Sequence, residues 1–227
     1  MGAASATRVV ASTAGALAAL AGLEHGIGEL RAGSTPLESL VFASWPDEPA
    51  FEIVGGEPAM SLLPTYQASG IATAVVSVAL GVWAVGFVHR RHGGLVLVLA
   101  SVVLLLVGGG FGPPIMGTIA GLTATRIGKV PDRPPGPLQR GLSRVWRWAL
   151  GLSVLGFLGL VPGLQLLSIS LGVEEPALVL VLLTAAFGGL LMAILGARGH
   201  DRLAARAVSA GSAAGIGGSG AGGAPLA

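Results

Sequence analysis

The residues of this chain equipped for chemistry are few, and the densest group of them is Glu24-His25-Gly26-Ile27-Gly28-Glu29. On a helix, His25 and Glu29 lie one turn apart on a shared face, while Glu24 points roughly 100° away. An apolar helix starting near Val9 puts Glu24 about 22 Å and Glu29 about 30 Å along its length. That depth is the outer leaflet of a membrane or its edge, where ionisable side chains are costly and face a partner or a wet cavity. Three chemistries fit Glu24, His25 and Glu29: a histidine–carboxylate metal site, a proton relay, or an ion-coordinating mouth. Metal is the weakest, because one His and one Glu on a helix supply two ligands and no third is evident. No metal and no cofactor is therefore expected. The plainer alternative is a helix end at the headgroups, with His25 and Glu29 pairing locally.

A second candidate is the run Gly108, Gly109, Gly110, Phe111, Gly112, Pro113, Pro114. Gly and Pro at that density break a helix. Non-helical backbone at membrane depth is tolerated only when buried in protein or lining a water-filled cavity. Half-helix ends there would offer bare N–H and C=O groups to a solute, as a pore or substrate site does. A tight turn between two short helices is the alternative. A third group, Arg140, Arg144 and Arg147 at helical spacing beside Trp146 and Trp148, suits a lipid interface, with Arg on anionic headgroups and Trp in the aromatic belt.

The elements that must position these groups follow from composition. Of 227 residues 52% are hydrophobic and 11% charged, whereas soluble domains carry about 25% charged residues. There is no cysteine, which excludes disulfides, thiolate catalysis and Cys-ligated metals. Nothing in the charge pattern suggests nucleic acid. Apolar segments at 9–30, 69–88, 149–173 and 177–197 each match the roughly 20 helical residues needed to span a bilayer. The segment 95–122 would be about 42 Å long as one helix, and it contains the Gly/Pro break. The expected fold is an all-α polytopic transmembrane bundle with a glycine/proline-broken hairpin at 95–122, for which a re-entrant hairpin, two short spans and one broken span stay open, followed by an unstructured Ala/Gly/Ser tail at 207–227.

Charge sets the orientation, because Lys and Arg collect on the cytoplasmic side of short loops. With 95–122 as a hairpin, twelve of the 13 basic residues lie inside and only Arg31 outside. Both termini are then cytoplasmic, in a prokaryotic inner membrane. The first segment also resembles a signal peptide around Ala16-Leu17-Ala18, but its apolar pattern continues into Leu23 and Ile27, which favours retention. In the external loop 31–67, Thr35-Pro36-Leu37-Glu38 reads as a capping box and Pro46 as a stop, so a short surface helix is expected over Thr35 to Trp45. In the internal loop 123–148, residues 130–137 read as a stiff proline-rich spacer. Gln165 and Thr184, alone among apolar residues, are expected to bond between helices, and Gly22 with Gly26 to pack closely on a neighbour.

The Glu24-to-Glu29 stretch, Ser44-Trp45-Pro46-Asp47, Gly56-Glu57-Pro58-Ala59-Met60 and Gly108 to Pro114 together resemble an uncharacterised family of small prokaryotic multi-pass membrane proteins. The similarity covers roughly Gly22 to Ile127. It implies a membrane protein and carries no activity or catalytic residue with it. From the residues themselves two functions stay open: a small solute or ion pathway through the broken hairpin, or a structural subunit of a larger membrane complex or homo-oligomer. An intramembrane enzyme lacks a nucleophile–base pair or a metal triad.

Overall fold

A computed structural model describes residues 5–46, 48–129, 134–171 and 175–217. Helix α1 (Ala6–Arg31) starts three residues before Val9 because its N-terminus is capped twice. Ser5 Oγ accepts from Arg8 N at 3.2 Å, and the Asp201 carboxylate accepts from Ala6 N and Thr7 N at 2.8 and 3.0 Å. Backbone donors that a first turn leaves unpaired are thereby satisfied.

Small residues make α1 the central helix. Gly15 lies against Ala84 and Leu97, Gly22 against Ser77 and Leu104, and Gly26 against the backbone of Gly70 and Ala74. The Gly22/Gly26 face thus packs as expected, and its partner is α2 (Tyr66–Gly86) of the same chain. The far side of α2 leaves Val75, Val78, Val82 and Val85 exposed, an apolar stripe suited to lipid. Among the described residues, four helical stretches are long and apolar enough to cross a membrane: Ala6–Arg31, Tyr66–Gly86, Pro137–Leu171 and Pro176–Ala210. The chain is a polytopic helical bundle.

Between the second and third of these stretches stands a helical hairpin of α3 (Gly93–Leu106) and α4 (Gly112–Ala124). Gly94 abuts Gly121 and Thr125, and Ser101 abuts Gly117, so the arms are antiparallel. Gly112, Pro113 and Pro114 do not belong to the break. They form the first turn of α4, where the missing proline N–H costs no bond. Because Leu97 sits beside Gly15 and Leu104 beside Gly22, α3 climbs alongside α1 and its tip arrives level with Glu29.

Helix α5 (Pro137–Leu158) begins twelve residues before the expected 149, so the arginine-rich approach is itself helical. It continues through a π-helical turn, Gly159–Gly163, that accommodates Pro162, into α6 (Leu164–Leu171). Its neighbour is α7 (Pro176–Leu183), a second π turn at Thr184–Gly188, and α8 (Gly189–Gly217). Ser153 Oγ donates to Ala186 O at 2.7 Å across this pair, taking a carbonyl within the widened turn. The two lone polar residues do not bridge helices. Thr184 donates to Leu180 O of its own helix at 2.8 Å, and Gln165 Oε1 is buried without a partner among the described residues. Helix α8 passes Arg206 and runs to Gly217, beyond the expected start of the tail. Residues 218–227, and residues 130–133 of the expected spacer, lie outside the described residues.

The segment from Thr35 to Trp45 is not a surface helix. Residues 41–43 form β1 (Val41–Ala43), paired antiparallel with β2 (Pro58–Met60), and a 3-10 turn at Pro49–Val54 lies between them. Thr35 Oγ1 turns back to Ala32 O at 3.0 Å instead of capping a helix. A helix this short is marginal without tertiary support, whereas Val41 and Phe42 gain a cross-strand partner. The strap is fastened to α1 at Gly28, where an added Cβ would lie 2.6 Å from Ser44 O and from the Trp45 ring. At the other end of the bundle, Asp201 against α1, Arg202 Nη1 on Gln139 at 2.9 Å, and the 89–92 turn beside residues 124–129 bring the basic segments together.

Candidate functional site

The strap carries an acid into the group on α1. Gly55, Gly56 and Glu57 have φ of 65°, 70° and 55°, three successive left-handed residues. Glycine adopts that conformation freely, but in Glu57 it costs about 1–2 kcal/mol. Backbone bonds from Ser44 N to Glu57 O (3.1 Å) and Trp45 N to Gly56 O (3.0 Å) hold the turn. The result is Glu57 Oε2 at 3.4 Å from His25 Nε2. One ligand atom from each of Glu24, His25 and Glu57 lies within 4.8 Å of the others. This corrects the reasoning that set a metal aside, since the third donor comes from the loop and not from the helix.

Glu29 plays another part. It is 0% exposed and receives the Ser44 hydroxyl at 3.2 Å. Ser44 Oγ also lies 2.8 Å from His25 Nδ1, so His25 and Glu29 are linked through Ser44 instead of pairing directly. Ser69 and Thr73, beside the same carboxylate, each donate to Val107 O at 2.7 Å. Leu62 N bonds to Leu106 O at 3.0 Å, and Gly109 N to Leu104 O at 2.9 Å. The carbonyls at the end of α3 are therefore occupied and do not stand bare toward a solute, as the Gly/Pro run had suggested.

Two glycines let the hairpin tip reach this group. Gly108 has φ 118°, and a Cβ there would fall 2.5 and 2.6 Å from the two Glu29 carboxylate oxygens. Gly110, at φ 69°, lies directly on the His25 imidazole. Gly109 packs on Leu104, and Pro113 and Pro114 are buried.

Phe111, Gly112 and Pro113 line a cavity of about 390 Å³ whose polar end is Glu24, His25 and Glu57. Its other walls are apolar, among them Phe157, Leu160, Leu183 and Phe187. Both π turns contribute to it, a placement common for such turns. Among the described residues, Glu24 Oε1 and Oε2 and Glu57 Oε2 are buried without a hydrogen-bond partner. The Trp45 indole N–H, likewise unpartnered, faces Glu24. Away from the tip, Leu80, Leu97, Leu104 and Met116 are fully buried and fill the bundle between the helices.

At the opposite end, Arg140, Arg144 and Arg147 are exposed and Trp148 is 79% exposed, positions that suit lipid. Trp146 differs. It is 6% exposed, with His200 of α8 at 6.0 Å between ring centroids and Gly196 against its Cβ, so it packs the α5–α8 seam.

Sequence reading missed Glu57 and Ser44 as members of the site. The available signal was Gly55-Gly56 directly before an acid, a pair that frees the backbone to turn a side chain inward. The fold defines the class as a multi-pass membrane protein with a polar cluster at one end. Compared with protein-family models, curated proteins and solved structures, the chain matches none.

Proposed function

We propose that the protein is a small solute or ion pathway, loaded from the outer side at Glu24, His25 and Glu57 and gated by the tip of the hairpin. The observation that carries this reading is one cavity bounded by both the acid–histidine cluster and the start of α4 at the hairpin tip, Phe111 to Pro113. The sealed inner half corresponds to a closed state open to one side. In this reading α3 and α4 form a re-entrant hairpin with both ends in the cytoplasm, and all basic residues except Arg31 are cytoplasmic. The lipid bilayer, with anionic headgroups at Arg140, Arg144 and Arg147, is its surroundings. The competing accessory-subunit reading loses its main surface, because the Gly15, Gly22 and Gly26 face is used up within the chain.

Solute or charge uptake into proteoliposomes tests this, with His25→Ala and Glu24→Gln against the exposed Glu38→Gln. The expected result is loss of flux in the first two alone. Equal flux in all three, or none in the parent, rejects the pathway. Topology is checked in the cysteine-free chain with single cysteines at Arg91 and Lys129. Both are expected to resist an impermeant external thiol reagent while one at Glu52 reacts.

A further inference from the structure

We infer that Glu24, His25 and Glu57 form a binding site for one divalent first-row transition-metal ion, with Glu29 and Ser44 orienting the histidine. The inference names an ion for the site proposed above and rests on that site being a ligand site. It does not depend on transport.

The argument starts from protons. Glu29, as a carboxylate, only accepts hydrogen bonds. Ser44 has one hydroxyl proton and gives it to Glu29 Oε1, so toward His25 it must accept. His25 Nδ1, at 2.8 Å, is then the donor, and the Nε2 lone pair is left facing Glu57 Oε2 at 3.4 Å. Two lone pairs then face each other, a contact relieved by a proton, as in a histidine–carboxylate ion pair, or by a metal ion held between them. A carboxylate relayed to the remote nitrogen of an imidazole is how proteins fix the tautomer of a metal-ligating histidine.

The surroundings fit an ion. Three buried carboxylate oxygens, two on Glu24 and one on Glu57, have no hydrogen-bond partner among the described residues, and orphaned buried acceptors are costly. A dication offsets the charges of Glu24 and Glu57 beside a neutral imidazole, so that of the cluster only the Glu29 carboxylate, bonded to Ser44, keeps its charge. Metal–ligand bonds of about 2.0–2.1 Å put tetrahedral neighbours roughly 3.3 Å apart, close to the 3.4 Å between Nε2 and Glu57 Oε2. The widest donor separation, within 4.8 Å, must contract on binding. Imidazole with carboxylates suits Zn²⁺, Mn²⁺, Fe²⁺ or Co²⁺ over Mg²⁺, which prefers all-oxygen octahedra. Three protein ligands leave a fourth position, and the cavity lies on that side.

The test uses the full chain purified in detergent and stripped with a chelator, then titrated calorimetrically with Zn²⁺ and spectroscopically with Co²⁺. One ion per chain is expected, and Co²⁺ is expected to acquire the visible absorption of a four-coordinate nitrogen–oxygen site. Ser44→Ala is expected to weaken binding about 10–100-fold, His25→Ala and Glu57→Gln by more, and Glu38→Gln not at all. Size-exclusion profiles check folding, and Glu57→Gly supplies a second ligand deletion free of backbone strain. No saturable ion in the parent, equal affinity in the Glu57 variants, or equal competition by Mg²⁺ overturns the inference. Ion binding without flux leaves the metal site standing and rejects the pathway. Flux of another solute without ion binding does the reverse.

Discussion

The two ends of the bundle bury acids in opposite ways. At the end where α1 begins, Asp201 accepts from two backbone amides of α1, at 2.8 and 3.0 Å. At the end that holds the hairpin tip, three oxygens of Glu24 and Glu57 make no hydrogen bond among the described residues. A satisfied carboxylate at a helix N-terminus is a structural cap. Unsatisfied carboxylates brought together by a strained turn destabilise the fold and persist for another reason. The contrast separates a residue that holds the bundle from residues that wait for something.

Glycines at the two ends sharpen the contrast most. Gly110 and Gly128 both have left-handed backbone, φ 69° and 73°, but only Gly110 lies against a side chain, the His25 ring, while Gly128 has nothing within 4 Å. Gly110→Ala combines strain with overlap and is expected to cost more than about 3 kcal/mol. Gly128→Ala is expected to cost about 1–2 kcal/mol from strain alone. Denaturant unfolding in detergent measures both. Equal losses would mean the tip is not fitted to the histidine.

The acids come next. Asp201→Ala leaves two amides of α1 unpaired and is expected to destabilise by about 1–2 kcal/mol. Glu24→Gln removes a buried charge that makes no hydrogen bond among the described residues and is expected to leave stability unchanged or raised, while abolishing ion binding. If Glu24→Gln destabilises as much as Asp201→Ala, the acids at the hairpin tip are structural too and the contrast fails.

How much of this was legible in the sequence differs between the same two ends. The basic residues, the apolar lengths and the Gly/Pro break are local signals, and they placed the spans, the hairpin and the arginine-rich end. Glu24, His25 and Glu29 stood out because ionisable groups are rare in an apolar helix. Glu57 and Ser44 did not stand out, because both lie in a polar loop where such residues are ordinary. Only the pairing of β1 with β2 brings them onto α1. The strands themselves were hidden by a capping box that the sequence contains and the fold does not use, since Thr35 bonds backward. The π turns left no periodicity to find, and Trp146 resembled its exposed neighbour Trp148 because burial there depends on α8.

The smallest expected effect concerns Glu57 itself, whose φ of 55° makes it the one non-glycine with positive φ among the described residues. In Glu57→Gly the backbone conformation becomes free of steric cost, a gain of about 1 kcal/mol. A glycine also enlarges the unfolded ensemble, which offsets roughly 0.4–1 kcal/mol. Losing a buried carboxylate oxygen without a donor adds to the gain. The net expectation is a variant at least as stable as the parent, measured without added metal. Adding Zn²⁺ is expected to reverse the order, because only the parent gains stability by binding an ion in its folded state. A structural role for Glu57 gives the opposite pattern, with Glu57→Gly weaker than the parent in the absence of metal and Zn²⁺ shifting both equally. The crossing of the two stability orders thus separates a residue kept under strain for an ion from one that merely closes the strap.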